Sequence, residues 1–511
     1  LPEGDQTIWS PEECKLDFWE QLVGPGVRWL VPPSYPLVGC VPINRPVIDD
    51  NMPDEPLLGL LPPVDPSYVD AYAPTTWGPE AYSVSFDKFE YGVAKDFFKE
   101  YPDLCEFADW AFYRHFSYLQ DTVFVNIMAT EKNQESTPAY PKMMRWPTEA
   151  DYLSDVGWRD YILEFDRIKS GARPRVCWYL FLKKEILKQE KIDKADIRQI
   201  VCSDPIYARI GSFFEQHQNA LMKSVTEVSS GQCGWSPFYG GFSERIRRLE
   251  SKGNHYYIEF DWTRFDGTIP TQLFMHIKKL RFSLFRRDLR EEYSSMYQWY
   301  CKQLLRRYVV MPSGEVTLQK KGNPSGQIST TTDNNMINYW LQAFEFAYIN
   351  GPDRDLWEKY DTLIYGDDRL STTPFVPSDY VNRVVQMYKE IFGMWVKPDK
   401  VIVQNSPIGL SFCGFQVNDD HMPVPSQPYK MMASLLKPAA KLSDVNSLHG
   451  KLLCFQLLMH NAPDDHPFKE YLEKCLVALR RHSLGSGLPY RFTDEQLDYI
   501  WRGGPKQSYG K

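Results

Sequence analysis

The stretch that most constrains the fold of this chain is a Gly-Asp-Asp turn between two short extended runs. Thr362-Leu363-Ile364 precedes Tyr365-Gly366-Asp367-Asp368, and Arg369-Leu370-Ser371-Thr372 follows it. Apolar and β-branched residues on both sides of a tight turn are typical of a β-hairpin. Gly366 supplies the backbone freedom that such a turn needs. The hairpin would present two adjacent carboxylates, Asp367 and Asp368, at the tip of a stiff scaffold.

Taken alone, this turn has a simpler interpretation as a solvated acidic loop. Gly and Asp are common in turns, and such a triplet should occur by chance in about one chain of this length in ten. Side chains alternate along a strand, so Asp367 and Asp368 cannot both enter one site in the same way. The hairpin therefore becomes informative only if a third carboxylate reaches it from another strand.

A second strand is predicted from Tyr256 to Asp261 because the run is rich in aromatic and β-branched residues. Asp261 at its end, with Asp367 and Asp368 at the hairpin tip, would supply carboxylates from two rigid elements. Two divalent ions ~3.5–4 Å apart need such bridging carboxylates. Hard oxygen ligands favour Mg²⁺ or Mn²⁺ over zinc. We therefore expect a site for two divalent ions where these elements meet.

A group of polar residues would complete the site. Gly322 to Gln327 is predicted to be a loop by its Gly and Pro content, and Thr330 and Asn334 lie one turn apart at the start of the following helix. Asp266, past the end of the acidic strand, can face a sugar rather than the metals. With Asn334 and Ser325 it offers acceptors and donors for a ribose 2′-hydroxyl, the group that separates RNA from DNA precursors.

Two basic stretches remain ambiguous at this level. Residues 183–198 interleave acidic residues with Lys183, Lys184, Lys188, Lys191, Lys194 and Arg198. Such a pattern fits either a solvated helix face with i,i+4 ion pairs or a basic finger that neutralises a triphosphate. The helix predicted after Pro270 carries Lys278, Lys279, Arg281, Arg286, Arg287 and Arg290, which either grip backbone phosphates or are solvated.

Composition narrows the class of protein. The net charge of −8 excludes a globally basic nucleic-acid-binding surface, so any RNA contact must use local patches. No apolar run reaches the length of a membrane span. Ten cysteines without a Cys-x-x-Cys pair suggest reduced cytosolic thiols, and nine histidines without a His-x-x-x-His pair argue against zinc. Leu1 in place of Met suggests release from a longer precursor, although a trimmed sequence would look the same.

The chain is long enough for several subdomains. Residues 1–80 hold 15 of the 38 prolines, which favours extended backbone, and the interleaved aromatic and aliphatic residues predict a packed arm. From Pro428 onward the pattern is mostly helical and suggests a separate lobe.

Three motifs in this order carry a family resemblance. They are Asp-x₄-Asp (Asp261, Asp266), Ser-Gly-x₄-Thr-x₃-Asn (Ser325, Gly326, Thr330, Asn334) and Tyr365-Gly366-Asp367-Asp368. They resemble motifs A, B and C of positive-strand viral RNA-dependent RNA polymerases, and the wording around them is similar to that of the astrovirus polymerases. The match from A to C anchors about 110 residues, and weaker matches extend it from about 136 to 417.

The resemblance implies an α+β right-hand fold with an antiparallel palm sheet flanked by helices, in an encircled closed-hand form. The motifs would place the fingers in residues 1–206 and 294–323, the palm in 207–293 and 324–418, and the thumb in 419–511. The proline-rich arm would bridge fingers and thumb.

The resemblance also implies roles for individual residues. Asp261 and Asp367 would ligate both catalytic metals, with Asp368 in support and the Trp262 carbonyl as an additional ligand. Lys183, Lys191 and Arg198 match the cations of motif F that hold the incoming triphosphate, and Lys194 is an alternative to Lys191 because the spacing does not settle the register. Asp266, Ser325, Thr330 and Asn334 would bind the nucleotide. Lys400 occupies the motif D position that would protonate the pyrophosphate leaving group.

Contacts with the template and primer are implied at three further places. Gly409 to Val417 would be motif E, with Phe412 and Cys413 gripping the primer end. Ser136 to Pro141, including Ser136 and Tyr140, resembles motif G on the template path but lacks its usual internal glycine. Gly326 of motif B would also lie along the RNA.

By this resemblance the protein replicates and transcribes a positive-strand viral genome from NTPs, using two Mg²⁺ ions or Mn²⁺. Its partners would be template and nascent RNA, a genome-linked protein primer and other viral replication proteins. It would act in the host cytoplasm, at membrane-associated complexes reached through partners rather than through a transmembrane segment of its own. Nothing in the residues themselves indicates the priming mode.

Three other functions compete with this interpretation. A reverse transcriptase shares the paired-Asp hairpin but usually carries a bulky aromatic residue at the position of Asp266, whereas a carboxylate opposite Asn334 favours RNA product. A catalytically silent RNA-binding protein would not need intact Asp261, Asp367 and Asp368. A two-metal nuclease needs neither a ribose-reading pair nor a triphosphate-binding finger.

Overall fold

The computed structural model describes residues 16–24, 26–89, 92–482 and 487–503. Residues 1–15 of the predicted fingers and residues 504–511 of the predicted thumb lie outside the described residues. The strands are β1 Gly39–Cys40, β2 Tyr72–Pro74, β3 Cys177–Leu182, β4 Ile186–Lys188, β5 Gln199–Ser203, β6 Tyr256–Thr263, β7 Arg307–Val310, β8 Glu315–Gln319, β9 Asp361–Tyr365, β10 Asp368–Thr373, β11 Trp395–Gln404, β12 Ser411–Phe412, β13 Phe415–Val417 and β14 Pro423–Pro425.

Helices make up most of the remaining regular structure. They are α1 Glu80–Phe86, α2 Phe97–Glu100, α3 Pro102–His115, α4 Glu149–Tyr152, α5 Trp158–Lys169, α6 Gln189–Asp193, α7 Pro205–Ser224, α8 Gly241–Glu250, α9 Phe265–Thr268, α10 Thr271–Ser283, α11 Arg287–Leu305, α12 Thr330–Asn350, α13 Arg354–Trp357, α14 Tyr380–Met387, α15 Pro428–Leu436, α16 Val445–Met459, α17 Pro467–Leu479 and α18 Asp494–Arg502. Short 3₁₀ turns lie at Trp19–Gln21, Pro56–Leu60, Pro66–Val69, Asp87–Phe89, Ser117–Leu119, Ile127–Ala129 and Lys142–Met144, and π-helical turns lie at Leu153–Gly157 and Tyr388–Phe392.

The central sheet has four antiparallel strands in the order β11-β6-β10-β9. Along β6, Ile258 and Phe260 point into the main core, whereas Tyr257 packs on the opposite face with α8 and the β12–β13 hairpin. Glu259 and Asp261 share the face of Tyr257, because side chains alternate along a strand. That face is open at the Asp261 end of the sheet, where the Asp261 side chain is exposed.

The predicted end of the acidic strand was too early. Strand β6 continues to Thr263, because Trp262 and Thr263 still pair with Val396 and Trp395 on β11. Asp261 therefore lies inside the strand, two residues before its end. The prediction of a hairpin at 362–372 is confirmed, with β9 and β10 joined by a two-residue turn.

A second sheet, β1-β8-β7-β3-β5, lies in the part of the chain that contains the first basic stretch. Residues 183–198 do not form one continuous helix. They contain β4 and the five-residue helix α6, after which the chain returns to β5. The stretch is thus a projecting strand–helix–strand connection. β4 also pairs with β2, which belongs to the proline-rich arm.

The described part of the arm is packed, as predicted. Residues 57–72 contribute leucine, valine and tyrosine side chains to a cluster with α15, α16 and α17. Lys437 donates from Nζ to the carbonyl oxygens of Val69 and Tyr72 at 3.0 Å, and the Tyr471 hydroxyl donates to the carbonyl of Pro62 at 2.7 Å. The helical C-terminal lobe therefore contacts the arm, and the arm contacts the basic connection through β2. These contacts bridge the two ends of the molecule, as expected for the closed form of the fold.

In the second basic stretch, two of the cations neither contact solvent nor are available to bind phosphates. Lys278 and Arg281 on α10 are fully buried and pair with Glu215 and Asp333. They cannot contact backbone phosphates, and they are not solvated. Lys279, between them, is exposed.

Two predictions from composition concern the described residues. The nine cysteines within them are all free, with no disulfide among them. In the same part of the chain, no helix combines the length and the apolar character needed to cross a membrane.

Candidate active site

The register of the central sheet brings the acidic residues together. Arg369 pairs with Phe260, so the next positions along the two antiparallel strands are Asp368 and Asp261. Asp367 occupies the turn beside Asp368, and Gly366 before it has a φ of 62°, in the region that favours glycine. The three predicted carboxylates thus meet at one end of two neighbouring strands, and all three side chains are exposed.

These carboxylates influence one another. Partial desolvation in the cleft raises the pKa of Asp368 to about 7, with contributions from Asp367, Asp261 and Glu259. Desolvation also raises the pKa of Asp367, to which Asp261 adds. Glu259 was not predicted as part of this group, although its position two residues before Asp261 on the same strand face was visible in the sequence. A cluster of mutually repelling carboxylates is a site that favours cations.

The donor set fits divalent cations of the hard type, because every side-chain donor at this point is a carboxylate oxygen. Among the residues that the structure describes, no three His, Cys, Asp or Glu side chains are already gathered closely enough to hold one ion. The carboxylates therefore lie in one site, but their oxygens do not converge on a single point. The Trp262 side chain is buried on the opposite face of β6, so only its backbone carbonyl could serve as a metal ligand.

Helix α12 holds the hairpin tip in place. The backbone N–H of Gly366 donates to Asn335 Oδ1 at 2.5 Å, and Asn338 Nδ2 donates to the carbonyls of Gly366 at 3.1 Å and Asp367 at 3.3 Å. Neither Asn335 nor Asn338 was among the predicted site residues. Asn335 follows Asn334 directly and Asn338 lies one helical turn after it. Polar residues at these positions of a helix that is otherwise apolar and buried were the signal that could have found them.

A segment preceding α8 supports the other edge of the hairpin. The N–H of Ile364 donates to the carbonyl of Ser230 at 2.8 Å, and the N–H of Gln232 donates to the carbonyl of Ile364 at 2.7 Å. This segment is irregular in sequence, and nothing in its composition predicted a strand partner for β9.

Asp266 and Asn334 form the predicted polar pair. Asn334 Nδ2 donates to Asp266 Oδ1 at 2.6 Å. Burial raises the pKa of Asp266 to about 7, and Asp367 adds to this rise while the hydrogen bond from Asn334 opposes it. Asp266 is therefore close enough to the hairpin for the two acidic groups to interact.

The other predicted nucleotide-binding residues lie in the loop before α12. The Ser325 hydroxyl is on the exposed side of the loop and donates to the carbonyl of Gln199 at 3.3 Å. Thr330 differs from the prediction, because its hydroxyl bonds to the carbonyls of Pro324 and Gln327, both at 2.9 Å. It supports the loop rather than presenting a donor to a substrate.

The basic connection delivers cations to the same cleft. Arg198 is clamped by Glu185, with Nε donating at 2.7 Å and Nη2 at 2.5 Å. Its positive charge opposes the rise that desolvation causes in the pKa values of Asp266 and Asp367. Lys183 lies at the other arm of this connection, where its N–H donates to the carbonyl of Arg198 at 2.9 Å.

The two candidate lysines of this connection face different surroundings. Desolvation raises the pKa of Asp261, and the positive charge of Lys191 opposes this rise together with those of Lys400 and Lys397. Lys194 instead pairs with Glu190 at 2.9 Å on the solvent side, one helical turn away. The geometry therefore favours Lys191 as the residue directed at the cleft.

Lys400 lies on β11, beside the irregularity between Val396 and Val401. Its side chain is exposed, and among the charges near Asp261 it has the largest effect in opposing the rise of that pKa. Lys397 acts in the same direction and was not predicted. Lys430 on α15 is a further unpredicted cation: burial lowers its pKa, and Arg198, Lys191 and Lys183 are near enough to lower it further.

The predicted primer-contacting hairpin is present as β12 and β13, but one of its residues was misassigned. Phe412 is buried at 1 % exposure and packs on Trp235 at a ring distance of 5.7 Å, so it cannot grip RNA. Cys413 follows at a positive φ of 53°, and its backbone N–H is near enough to the Asp368 carboxylate to oppose the rise of that pKa. The hairpin therefore buttresses the acidic tip.

One of the predicted template contacts, Tyr140, needs correction. Ser136 is partly exposed and accepts a hydrogen bond from Lys132 Nζ at 2.9 Å. Tyr140 has no exposed side-chain surface and donates from its hydroxyl to Gln21 at 2.8 Å, so it does not reach RNA. At Gly326 a Cβ atom would lie 2.2 Å from the carbonyl oxygen of Val201, so glycine is needed there for close packing on β5.

Comparisons with known proteins agree with this geometry. Residues 138–461 match the family model described as viral RNA-dependent RNA polymerase. The chain is 60 % identical over 496 residues to the non-structural polyprotein 1AB of Human astrovirus-1, covering 97 % of this chain and 34 % of that protein. The corresponding polyproteins of Ovine astrovirus 1 and Turkey astrovirus 2 are 54 % and 42 % identical, covering 98 % and 91 % of this chain and 38 % and 29 % of theirs.

The chain thus spans about a third of the length of these curated relatives. Among solved structures, it is similar to the Sicinivirus 3Dpol RNA dependent RNA polymerase with a TM-score of 0.66 and 16 % identity. That match covers 90 % of this chain and 97 % of the other. At this identity the likeness concerns the fold.

Proposed function

Because the chain belongs to the viral RNA-dependent RNA polymerases, we propose that it copies a positive-strand RNA genome by a two-metal mechanism centred on Asp261, Asp367 and Asp368. The observation that carries the proposal is the register of β6 and β10, in which Asp368 and Asp261 are neighbours. Asp367 stands beside them on the hairpin turn. Lys191 and Lys400 are near enough to Asp261, and Arg198 to Asp367, to oppose the rise of their pKa values.

Asp261 and Asp367 would hold the two divalent ions, with Asp368 and the Trp262 carbonyl in support. Their oxygen donors and mutual repulsion suit Mg²⁺, or Mn²⁺ in its place. When bound, such ions stabilise negative charge on the attacking and leaving oxygens of a phosphoryl transfer. The remaining steps belong to side chains of the protein.

The triphosphate would be bound by Arg198 and Lys191, with Lys183 beside them. The clamp by Glu185 pre-orients the Arg198 guanidinium, so less conformational entropy is lost when the substrate arrives. Lys400 would donate the proton that the pyrophosphate needs as it leaves. An exposed lysine on a rigid strand next to Asp261 is within the region where that proton is required.

Sugar selection would rest on Asp266, Asn334 and Ser325. Asp266 keeps one oxygen on Asn334 and has a second oxygen with which to accept a hydrogen bond from a 2′-hydroxyl. A deoxyribose would leave that acceptor without a partner in a desolvated place, which disfavours it.

We further propose that the protein acts with template RNA, a genome-linked protein primer and other viral replication proteins. Its relatives are named non-structural polyproteins, of which this chain matches a part. We place its work in the host cytoplasm, at membrane-associated complexes reached through such partners.

The test is extension on a homopolymeric RNA template with Mg²⁺, with and without primer, using NTPs and dNTPs in parallel. Efficient incorporation of NTPs is expected, and a requirement for primer would separate primed from unprimed initiation. Preferential use of dNTPs would overturn the sugar assignment. Complete absence of template-directed synthesis by the folded protein would overturn the function itself.

A further inference from the structure

A cluster of four charged side chains lies beneath the loop that precedes α12. Lys278 Nζ is 2.9 Å from Glu215 and 2.6 Å from Asp333 Oδ2, and Arg281 Nη1 is 2.8 Å from Asp333 Oδ1. All four side chains are completely buried. Two cations balance two carboxylates, and removing any one would leave an uncompensated buried charge. Asp333 is therefore held as an ion-paired carboxylate, which can only accept hydrogen bonds.

A row of three carboxamides leads from this cluster to the sugar-facing residue. Gln327 Nε2 donates to Asp333 Oδ2 and to Asn323 Oδ1, both at 2.9 Å. Asn323 Nδ2 donates to Asn334 Oδ1 at 2.9 Å. Asn334 Nδ2 in turn donates to Asp266 Oδ1 at 2.6 Å. The row is continuous, because the NH₂ group of each carboxamide donates to the side-chain oxygen of the next residue toward Asp266.

The direction of this row is dictated by its buried end. A carboxamide has one donor end and one acceptor end, so its orientation at one contact decides its orientation at the next. Because Asp333 only accepts, Gln327 must turn its NH₂ group toward it. The N–H of Ser329 donates to Gln327 Oε1 at 2.8 Å and fixes the same orientation from the other side. Asn323 and Asn334 must then follow, so that an NH₂ group faces Asp266.

Burial makes the alternative orientation of these amides unfavourable. Asn323, Gln327 and Asn334 are 0 %, 7 % and 4 % exposed, so water cannot replace a lost partner easily. An inverted amide would place oxygen against oxygen and leave a buried polar group without a hydrogen-bond partner, which is unfavourable.

We propose that Gln327 and Asn323 are positioning residues for ribose selection, which they control by setting the orientation of the Asn334 amide and hence the placement of Asp266. This relay, defined by Asp333, Gln327, Asn323, Asn334 and Asp266, rests on the proposed function, because its output is the discrimination between NTPs and dNTPs. Neither positioning residue touches the substrate. Their effect is exerted through the hydrogen bond that Asn334 makes to Asp266.

The decisive variant is Asn323→Asp, which keeps the size of the side chain but replaces the NH₂ donor by an oxygen. Asn334 Oδ1 would then face a carboxylate, and the favourable response is an inverted Asn334 amide that presents its oxygen to Asp266. The ratio of kcat/KM for an NTP to that for its dNTP is expected to fall by about tenfold. Gln327→Met, which removes the donor upstream while keeping the volume, is expected to lower the same ratio.

Ser329→Ala is the matched control. It removes a hydrogen bond of 2.8 Å from the Ser329 hydroxyl to Glu215 in the same buried cluster, but leaves the backbone N–H that fixes Gln327. The variant should lower the melting temperature while keeping the sugar ratio within about twofold of wild type, since no relay bond is changed. Loss of packing alone would move the melting temperature of all three variants without moving the ratio.

The outcomes separate the relay from the function on which it rests. If Asp266→Ala loses the preference for NTPs but Asn323→Asp and Gln327→Met keep it, the relay is overturned and the polymerase assignment stands. If the folded wild type shows no preference for NTPs, or Asp266→Ala leaves the preference intact, the proposed sugar site itself fails. Should Asn323→Asp not fold, the ratio measured for Gln327→Met decides.

Discussion

The side-chain oxygen of Asn335 accepts a hydrogen bond of 2.5 Å from the backbone N–H of Gly366, at the turn that carries Asp367. A helix that begins in one motif thus holds the backbone of another, 31 residues later in the chain. The position of the acidic tip is therefore decided by α12 as well as by the hairpin.

Asn335→Ala should lower kcat for nucleotide addition by about tenfold with little change in RNA affinity, because a buried N–H loses its partner and the tip shifts. Steady-state primer extension gives kcat, and fluorescence anisotropy gives the RNA affinity. Asn350→Ala, at the other end of α12 and bonded only within its own helix in the described structure, is the control. Equal rates for the two variants would mean that the Asn335 contact does not position the tip.

Asp367→Ala should abolish Mg²⁺-dependent nucleotide addition while leaving RNA binding largely intact, because a central carboxylate of the acidic cluster is lost. Primer extension and RNA gel shifts measure the two properties. Asp419→Ala removes an exposed carboxylate after β13 and should have no effect on either. Normal polymerisation by the Asp367 variant would refute the role given to this residue.

Lys400→Leu should slow the chemical step by roughly 10²–10⁴-fold if the lysine is the general acid. Lys397→Leu removes a neighbouring positive charge that also acts on Asp261 and should slow it much less. Rapid-quench measurements over a range of pH provide the comparison. Equal losses for the two variants would indicate a purely electrostatic contribution, and full activity of the Lys400 variant would make it an ordinary surface lysine.

Lys191→Leu should raise the KM for NTPs by about tenfold, whereas Lys194→Leu should leave it nearly unchanged. The reason is that Lys191 faces the acidic cluster, while Lys194 is paired with Glu190 on the solvent side. Steady-state kinetics with saturating template and primer measure KM for both. The reverse pattern would move the triphosphate contact to Lys194.

His115 predicts an acid-sensitive stability. Its ring is half-buried, accepts a hydrogen bond from the N–H of Ser230 at 3.2 Å and stacks on Tyr339, and desolvation lowers its pKa to about 3. The unfolded chain binds this proton near pH 6.5 and the folded chain does not, so stability falls as pH drops below 6.5. The contribution amounts to about 1.4 kcal/mol per pH unit.

Denaturant unfolding at several pH values tests this prediction. His115→Gln should be less stable than wild type at pH 7.5, and the difference should shrink as the pH falls from 6.5 to 5. His255→Gln, at an exposed histidine, should follow the pH dependence of wild type. Parallel curves for His115→Gln and wild type would show that the ring does not stay neutral in the folded protein.

Local pattern was sufficient for the elements that carry the acidic residues of the candidate site. The hairpin at 362–372, the acidic strand and the helix from 330 were predictable because alternation and turn residues act over a few neighbours. The meeting of Asp261 with Asp367 and Asp368 was an expectation drawn from motif order, and the pairing of β6 with β10 supplies the physical contact.

Burial was where the resemblance misled for Tyr140 and Phe412, and where the local charge pattern misled for Lys278. Tyr140, Phe412 and Lys278 belong to residue types that serve equally well at a surface and, when satisfied, in a core. Whether such a side chain is inside depends on partners distant in sequence, such as Gln21 for Tyr140 and Glu215 for Lys278. The same reason hid Asn335 and Asn338, whose partners lie about 30 residues away.

By itself, then, the sequence determined which residues could do chemistry, because motif spacing and residue type are local properties. Only the tertiary structure decided which of them face the cleft, which support it from behind, and how the amides from Gln327 to Asn334 are oriented. Those decisions depend on strand register and on the balance of buried charges, and both arise only when distant segments pack together.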